Sequence, residues 1–314
     1  MKKIQKKISI IVPFYNEGDG VVRFYEALNP IINMIEEIDF EVICIDDGSG
    51  DSTLKKLISI SELDARFKII ELSRNFGKEG ALTAGIDSAI GDAVIPIDAD
   101  LQDPPSLIPK MIDKWLEGAE VVLARRADRT SDSFVKRKTA EVFYRVHNLL
   151  SNVRIQENVG DFRLMDRVVV EAIKQLPENN RFMKGIFAWV GFKTVVIDYV
   201  RNPRILGESK FSGWRLWNFA LEGITSFSAV PLKFWLYVGI LGAFLTFIYG
   251  IFIVSKTLIY GIELPGYASI LVAILFFGSI QLISLGVLGE YIGRIYMETK
   301  KRPIYLIRKR HGKT

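Results

Sequence analysis

The segment AVIPIDADLQDPP, residues 93–105, decides how the chain is read. An apolar run gives way at once to Asp98 and Asp100, then Gln102, Asp103 and a Pro-Pro pair. The first half reads as a buried strand and the second as a polar loop at its carboxyl end. Residues two apart on an extended segment face the same way, so Asp98 and Asp100 are expected to meet one ligand together. Neighbouring carboxylates repel unless a cation or hydrogen-bond donors compensate. With the side-chain carbonyl of Gln102 they form a hard oxygen set suited to Mg2+ or Mn2+. The plainer alternative is an acidic loop that caps the next helix. That is the role expected of Asp103, which precedes Pro104. For Asp98 and Asp100 both readings stand until the rest of the chain is considered.

The same pattern recurs on either side. ISIIVPF, EVICIDD, FKIIELS and AEVVLAR are further strand-like runs. GVVRFYEALNPIINMIEEI, STLKKLISISEL and EGALTAGIDSAI between them read as helices. Such alternation implies a mostly parallel, doubly wound α/β sheet. Sheets of this kind bind ligands beyond the carboxyl ends of their strands. Those ends carry Pro13, Tyr15, Asn16 and Glu17, then Asp46, Asp47, Gly48 and Ser49, then Arg74 and Asn75, and finally Asp98 and Asp100. No GxGxxG follows the first strand and GxxxxGK[ST] does not occur, which argues against a dinucleotide fold and a P-loop.

The chain has 314 residues, 49% of them hydrophobic, and a formal net charge of +5. The length fits one large domain or two smaller ones. The basic balance fits nucleic acid, anionic lipid or phosphorylated ligands. The one cysteine, Cys44, lies in an apolar run and is expected to be a buried core residue outside any internal disulfide. His147 and His311 are too few and too isolated for a zinc site. MKKIQKKISI lacks an apolar run long enough for a signal peptide.

Much of the hydrophobicity sits near the C-terminus. Residues 234–254 and 267–289 contain no charged side chain. Each is long enough to cross ~30 Å of hydrocarbon as a helix, so residues 233–292 are expected to form a transmembrane hairpin. Lysines and arginines flank it on both sides, whereas its loop holds only Lys256 and Glu263. This asymmetry puts both termini and the large N-terminal region in the cytoplasm. Before the first span, Trp214, Trp217, Leu221, Ile224 and Phe227 recur at helical spacing. They predict an amphipathic helix over 212–232 at the membrane surface. Residues 293–314 read as a basic tail, lying against anionic headgroups or solvated. The basic charge gathers beside the spans, so membrane attraction explains it better than nucleic-acid binding.

Taken together, IVPFYNE, IDDGS, DADLQDPP, ENVGDFRLMDR and GESKF resemble family 2 glycosyltransferases with a GT-A fold. The resemblance is strongest to polyisoprenyl-phosphate glycosyltransferases, the group containing dolichol-phosphate mannose synthase. RNFGKEGAL, KRKTAEVFY, ALEGITSFS and the double span make the chain similar to bacterial bactoprenol (undecaprenyl-phosphate) glucosyltransferases. The resemblance covers essentially the whole chain. It implies a Rossmann-like catalytic domain over 1–211, followed by the interfacial helix and two transmembrane helices, in a bacterial inner membrane. It implies a UDP-sugar donor, a polyisoprenyl phosphate acceptor, Mg2+ or Mn2+, and a homo-oligomer, in particular a tetramer.

Residue by residue, the resemblance places Pro13, Tyr15, Asn16, Glu17, Asp46, Asp47, Asp98 and Ala99 at the donor, with Lys78 in reach of it. Asp100 and Gln102 match metal ligands. Arg126 (or its neighbour Arg125) and Arg137 bracket a stretch similar to a mobile loop that closes over donor and acceptor. Arg204, Ser209 and Lys210 match phosphate-holding positions, and Asp161 matches a candidate base.

The chemistry agrees with these roles. The departing diphosphate gathers negative charge, which a divalent ion and Arg or Lys side chains stabilise. A lipid monophosphate with a second pKa of about 6 is largely dianionic at neutral pH. It needs no strong base, so positioning carries much of the catalysis. Asp161 is therefore expected mainly to orient acceptor or sugar, or to balance Arg163. Backside attack on an α-linked donor predicts inversion. Glucose is the expected sugar, with galactose and N-acetylglucosamine as alternatives, for later use in a cell-envelope polymer such as lipopolysaccharide. A processive synthase is disfavoured because QxxRW is absent. A non-catalytic assembly subunit is disfavoured because Asp100, Gln102, Arg204 and Lys210 are all present.

Overall fold

The computed structural model describes residues 5–127, 159–178, 181, 183–200, 230–260 and 266–312. The N-terminal half alternates as the sequence predicts: β1 (Lys6–Phe14), α1 (Gly18–Asn33), β2 (Ile38–Asp46), α2 (Thr53–Leu63), β3 (Phe67–Leu72), α3 (Lys78–Ser88) and β4 (Ala93–Pro96). A 3-10 turn (Pro105–Leu107) leads into α4 (Ile108–Leu116), then β5 (Val121–Arg126). Next come β6 (Val159–Asp166), α5 (Arg167–Lys174), α6 (Met183–Trp189) and β7 (Thr194–Tyr199). Two long helices, α7 (Val230–Tyr260) and α8 (Tyr267–Thr299), precede a last strand, β8 (Ile307–His311).

The strands form one sheet in the order β7-β5-β6-β4-β1-β2-β3-β8. β3, β2, β1 and β4 run parallel, as do β5 and β7. β6 runs antiparallel to both β4 and β5. That reversal brings the start of β6 to the edge where the parallel strands end, and Asp161 lies near that start. Ile8 to Val12 are fully buried, as expected of a strand covered on both faces. Successive side chains alternate between two cores. Ile10 joins Phe24, Leu28, Leu57 and Trp115 under α1, α2 and α4. Ile11 joins Leu82, Ile86, Val170 and Ile186 under α3, α5 and α6. Cys44 is buried in the first core. α3 lies unusually close to the sheet: a Cβ at Gly85 would stand 2.2 Å from Ile11 Cγ2 and 2.9 Å from Ile45 Cδ1.

α7 and α8 turn large apolar side chains outward, among them Phe244, Phe252, Phe276 and Leu282. Outward apolar surface on this scale marks a membrane or partner contact. Among the described residues, Phe276–Thr299 is long and apolar enough to cross a bilayer, and none of it is buried. The predicted amphipathic helix falls mostly on 212–229, outside the described residues.

The expected basic tail is corrected. After α8 the chain returns to the sheet, and β8 pairs antiparallel with β3, Ile70 opposite Arg310 and Glu71 opposite Lys309. The Ser73 amide donates to the Leu306 carbonyl at 2.9 Å. Glu71 takes His311 Nε2 at 2.9 Å and Arg308 Nη1 at 3.4 Å. The Tyr305 hydroxyl donates to Asp87 at 2.9 Å and Arg310 to Ser88 at 3.2 Å. The segment IRKRH hides this role because its charges suit an exposed sheet edge, while its specificity lies in distant partners.

Deleting residues 304–314 is expected to lower the unfolding midpoint of the detergent-solubilised protein by several degrees. Tyr305→Phe should cost about 1 kcal/mol, a typical net hydrogen bond. An unchanged midpoint in the deletion would mean that β8 adds nothing to the domain.

Candidate active site

The carboxyl ends of β1 to β4 meet at one edge because the strands are parallel. The loop after β1 is pinned to the loop after β2. Asn16, at φ 52°, donates its amide to Ser49 Oγ at 3.0 Å and accepts from the Gly50 amide at 2.9 Å. The Glu17 amide donates to Thr53 Oγ1 at 2.9 Å, and that of Gly18 to Asp51 at 3.1 Å. Pro13 is half-buried, while Tyr15 stands 45% exposed at the mouth of the edge.

Asp46 and Asp47, alike in sequence, do different work. Asp47 accepts from the amides of Phe76 at 2.7 Å and Gly77 at 3.0 Å, so both its oxygens hold the start of α3. Asp46 accepts from the Ser49 amide at 3.3 Å through one oxygen. Its other oxygen is buried and has no hydrogen-bond partner. Burial pushes both carboxyls above the usual carboxylate range; the amide bonds oppose this at Asp47, and the Asp46 charge adds to it. Gly48 between loops has φ +68°, and a Cβ there would stand 2.5 Å from the Arg74 carbonyl carbon. Only glycine fits that position.

Beyond β4, Asp98 meets Lys78 from α3 and Asp161 from β6. Lys78 Nζ lies 2.7 Å from Asp98 Oδ1 and 2.6 Å from Asp161 Oδ2. The Asp161 side chain is 13% exposed. Burial alone would raise its pKa, but Lys78, Lys184 and Arg163 outweigh it and hold the carboxyl well below the usual range. Asp98 is shifted the other way, by burial first and then by the Asp161 and Asp100 charges. Glu79 is pushed up to about 8 by burial and by Asp161.

Ala99 is buried. Asp100 accepts from the Gln102 amide at 3.1 Å across Leu101, whose φ is 55°. A bulky residue in the left-handed region marks local strain of the kind found at ligand sites. One carboxylate and one amide oxygen on this turn suit a Mg2+-like ion, which keeps most positions for water and phosphate oxygens. Among the described residues, no group of three His, Cys, Asp or Glu is arranged to hold a metal.

Asp103 does not cap the next helix, contrary to expectation. The turn begins at Pro104 without a side-chain cap. Asp103 is buried and accepts from the Tyr199 hydroxyl. Arg126 Nε donates to that hydroxyl at 3.4 Å. Burial and the Asp103 charge push the Tyr199 phenol up to about 12. Arg125 instead pairs with Asp198 at 2.7 and 3.0 Å on the exposed side. Of the two arginines, Arg126 is therefore the one turned toward the site. Sequence reasoning missed Tyr199, Glu79 and Lys184. Tyr199 and Lys184 sit in no quoted motif; Glu79 lies within RNFGKEGAL, but its partner, the Met183 amide, is far along the chain. Arg137, Arg204, Ser209 and Lys210 lie outside the described residues.

The carboxyl edge of this mostly parallel sheet thus gathers Asp46, Asp98, Asp100 and Asp161, a polar setting of the kind in which such sheets hold ligands. Residues 9–174 match Glycosyl transferase family 2, and residues 230–295 match the GtrB C-terminal hairpin. The chain belongs to glycosyltransferase family 2, and it is a glycosyltransferase. It is 53% identical over 304 residues to the bactoprenol glucosyl transferase of Shigella phage SfX, covering 97% of this chain and 99% of that one. It is 53% identical over 303 residues to a prophage bactoprenol glucosyl transferase homolog of Escherichia coli, covering 96% and 99%. An uncharacterized glycosyltransferase of Synechocystis is 52% identical over 301 residues, covering 96% and 94%.

Asp47→Ala is expected to cost about 2–3 kcal/mol, because it orphans two amides. Asp46→Asn removes a charge that burial disfavours, and should leave the midpoint equal or higher. Thermal melts of the two variants check this, and the opposite order would refute the division of labour.

Proposed function

We propose that the protein transfers glucose from UDP-glucose to undecaprenyl phosphate at the cytoplasmic face of a bacterial inner membrane, with inversion. The observation that carries this is the near full-length identity to bactoprenol glucosyl transferases, which spans sheet and hairpin in one chain. The domain plan is part of the proposal: a catalytic domain over 1–211, an interfacial helix over 212–232, and spans at about 234–254 and 267–289 with both termini cytoplasmic. A homo-tetramer, implied by the resemblance, belongs to it as well.

The residues divide the work as follows. The unpartnered oxygen of Asp46 accepts from the donor's ribose or base, and exposed Tyr15 covers the nucleotide from the β1 side. Pro13, Asn16, Glu17 and Ala99 shape that side of the pocket. Asp47 acts indirectly, by holding the loop before α3. A Mg2+ or Mn2+ held by Asp100 and Gln102 would supply compensation for the diphosphate's charge. Arg126, Arg137, Arg204, Ser209 and Lys210 hold phosphate groups of donor and acceptor, where the planar fork of arginine suits paired oxygens. Ionised Asp161 orients acceptor and sugar for in-line attack by a phosphate that is already dianionic.

The test is product formation by purified protein with undecaprenyl phosphate, Mg2+ or Mn2+ and a panel of UDP-sugars. Transfer from UDP-glucose is expected, reduced about 10²–10³-fold in Asp100→Ala. Asp46→Asn should weaken UDP binding about tenfold or more, given that hydrogen bonds to charged groups are worth about 1.5–3 kcal/mol. Transfer from a different UDP-sugar would replace the substrate. No transfer from any donor by a folded, UDP-binding protein would contradict the proposal.

A further inference from the structure

We propose that Lys78 is a positioning residue for Asp161, clamped between Asp161 and Asp98, and not a ligand of the donor's phosphates. The inference rests on the glycosyl-transfer reading and deepens it.

Lys78 is the first residue of α3, and its place is fixed from two sides. Asp47 grips the amides of Phe76 and Gly77 just before it. Gly85 lets the helix sit against Ile11 and Ile45. From there the ammonium reaches carboxylates on two other elements, at 2.7 Å on Asp98 and 2.6 Å on Asp161. The two carboxylates meet because β6 is antiparallel to β4, so the early part of one lies beside the exit of the other. At least two of the three ammonium donors are thereby engaged.

Among the described residues, the charged groups around Asp161 are Lys78 and Glu79 on α3, Lys184 on α6, Arg163 on its own strand and Asp98 beyond β4. Arg163 is itself buried, stacks at 4.0 Å on Phe187 and donates to the Gly160 carbonyl at 2.7 Å. Among the described residues, Lys78 touches Asp161 directly in an ion pair. Without it, Asp161 would face Glu79 and Asp98 in a site where burial opposes charge. With Lys78 present, Asp161 stays ionised as pH falls through the ordinary carboxylate range. Without Lys78 its pKa rises, and the carboxylate loses the partner that fixes its place.

The experiment compares Lys78→Met, Lys78→Arg, Asp161→Asn and the Lys78→Met/Asp161→Asn pair with wild type. It uses the full-length detergent-solubilised enzyme with UDP-glucose and undecaprenyl phosphate. In Lys78→Met, UDP affinity by calorimetry should stay within about twofold, since hydrogen bonds to the nucleotide are intact, while kcat falls about 10²-fold. Lys78→Arg should recover most of the rate. Adding Lys78→Met to Asp161→Asn should change kcat less than about twofold, because the two act as one unit. A cycle on thermal midpoints should show the same coupling without any turnover. A roughly tenfold loss of UDP affinity with kcat unchanged would overturn the inference, as would full additivity in both cycles. Turnover by wild type separates the two failures: if wild type transfers nothing from UDP-glucose, that donor assignment falls, and the thermal cycle still decides the role of Lys78.

Discussion

One buried carboxylate joins the parts of this molecule. Asp47, at the end of β2, holds the amides that open α3. Through them it sets the entry of that helix, the place of Lys78 and so the spacing of Asp98 and Asp161. The same end of β2 carries Asp46, which keeps an acceptor oxygen to spare. Of two adjacent aspartates, one thus holds the framework and the other leaves an oxygen unpartnered. Burial disfavours the charge of both, a cost accepted where a fold must hold a loop still and leave a polar pocket beside it.

The parallel half of the sheet was legible because its signals are local. β-branched runs such as ISIIVPF end in polar residues, and each end is a carboxyl end. The acidic pair after β4 was legible for the same reason. What escaped is pairing between distant segments. The direction of β6 depends on its fit between β4 and β5, which the string VGDFRLM does not reveal. β8 carries the charges of an edge strand and declares itself only through Glu71, Ser73 and Asp87. Asp103 looks like a helix cap beside Pro104 until Tyr199, on the last described strand of the domain's first two hundred residues, supplies its hydroxyl.

β8 also changes how the apolar helices relate to the domain. The chain leaves α8 at Thr299; Tyr305 then bonds Asp87 on α3, and the Leu306 carbonyl accepts from Ser73 just past β3. The short connection ties the helix end to β3 and α3, which flank the loop that runs from Arg74 to Lys78. A lipid phosphate is confined to the headgroup level, so an enzyme acting on it gains from a fixed distance between bilayer and site. The returning strand supplies such a link between the sheet and α8, whose Phe276–Thr299 segment is long and apolar enough to cross a bilayer.

The most direct test is an anomalous difference map from the protein bound to UDP and Mn2+. The account predicts a manganese peak at Asp100 and Gln102, nucleotide contacts on Asp46, and Lys78 still bridging Asp98 and Asp161. A peak between Asp98 and Asp161, with Lys78 displaced onto the diphosphate, would contradict it.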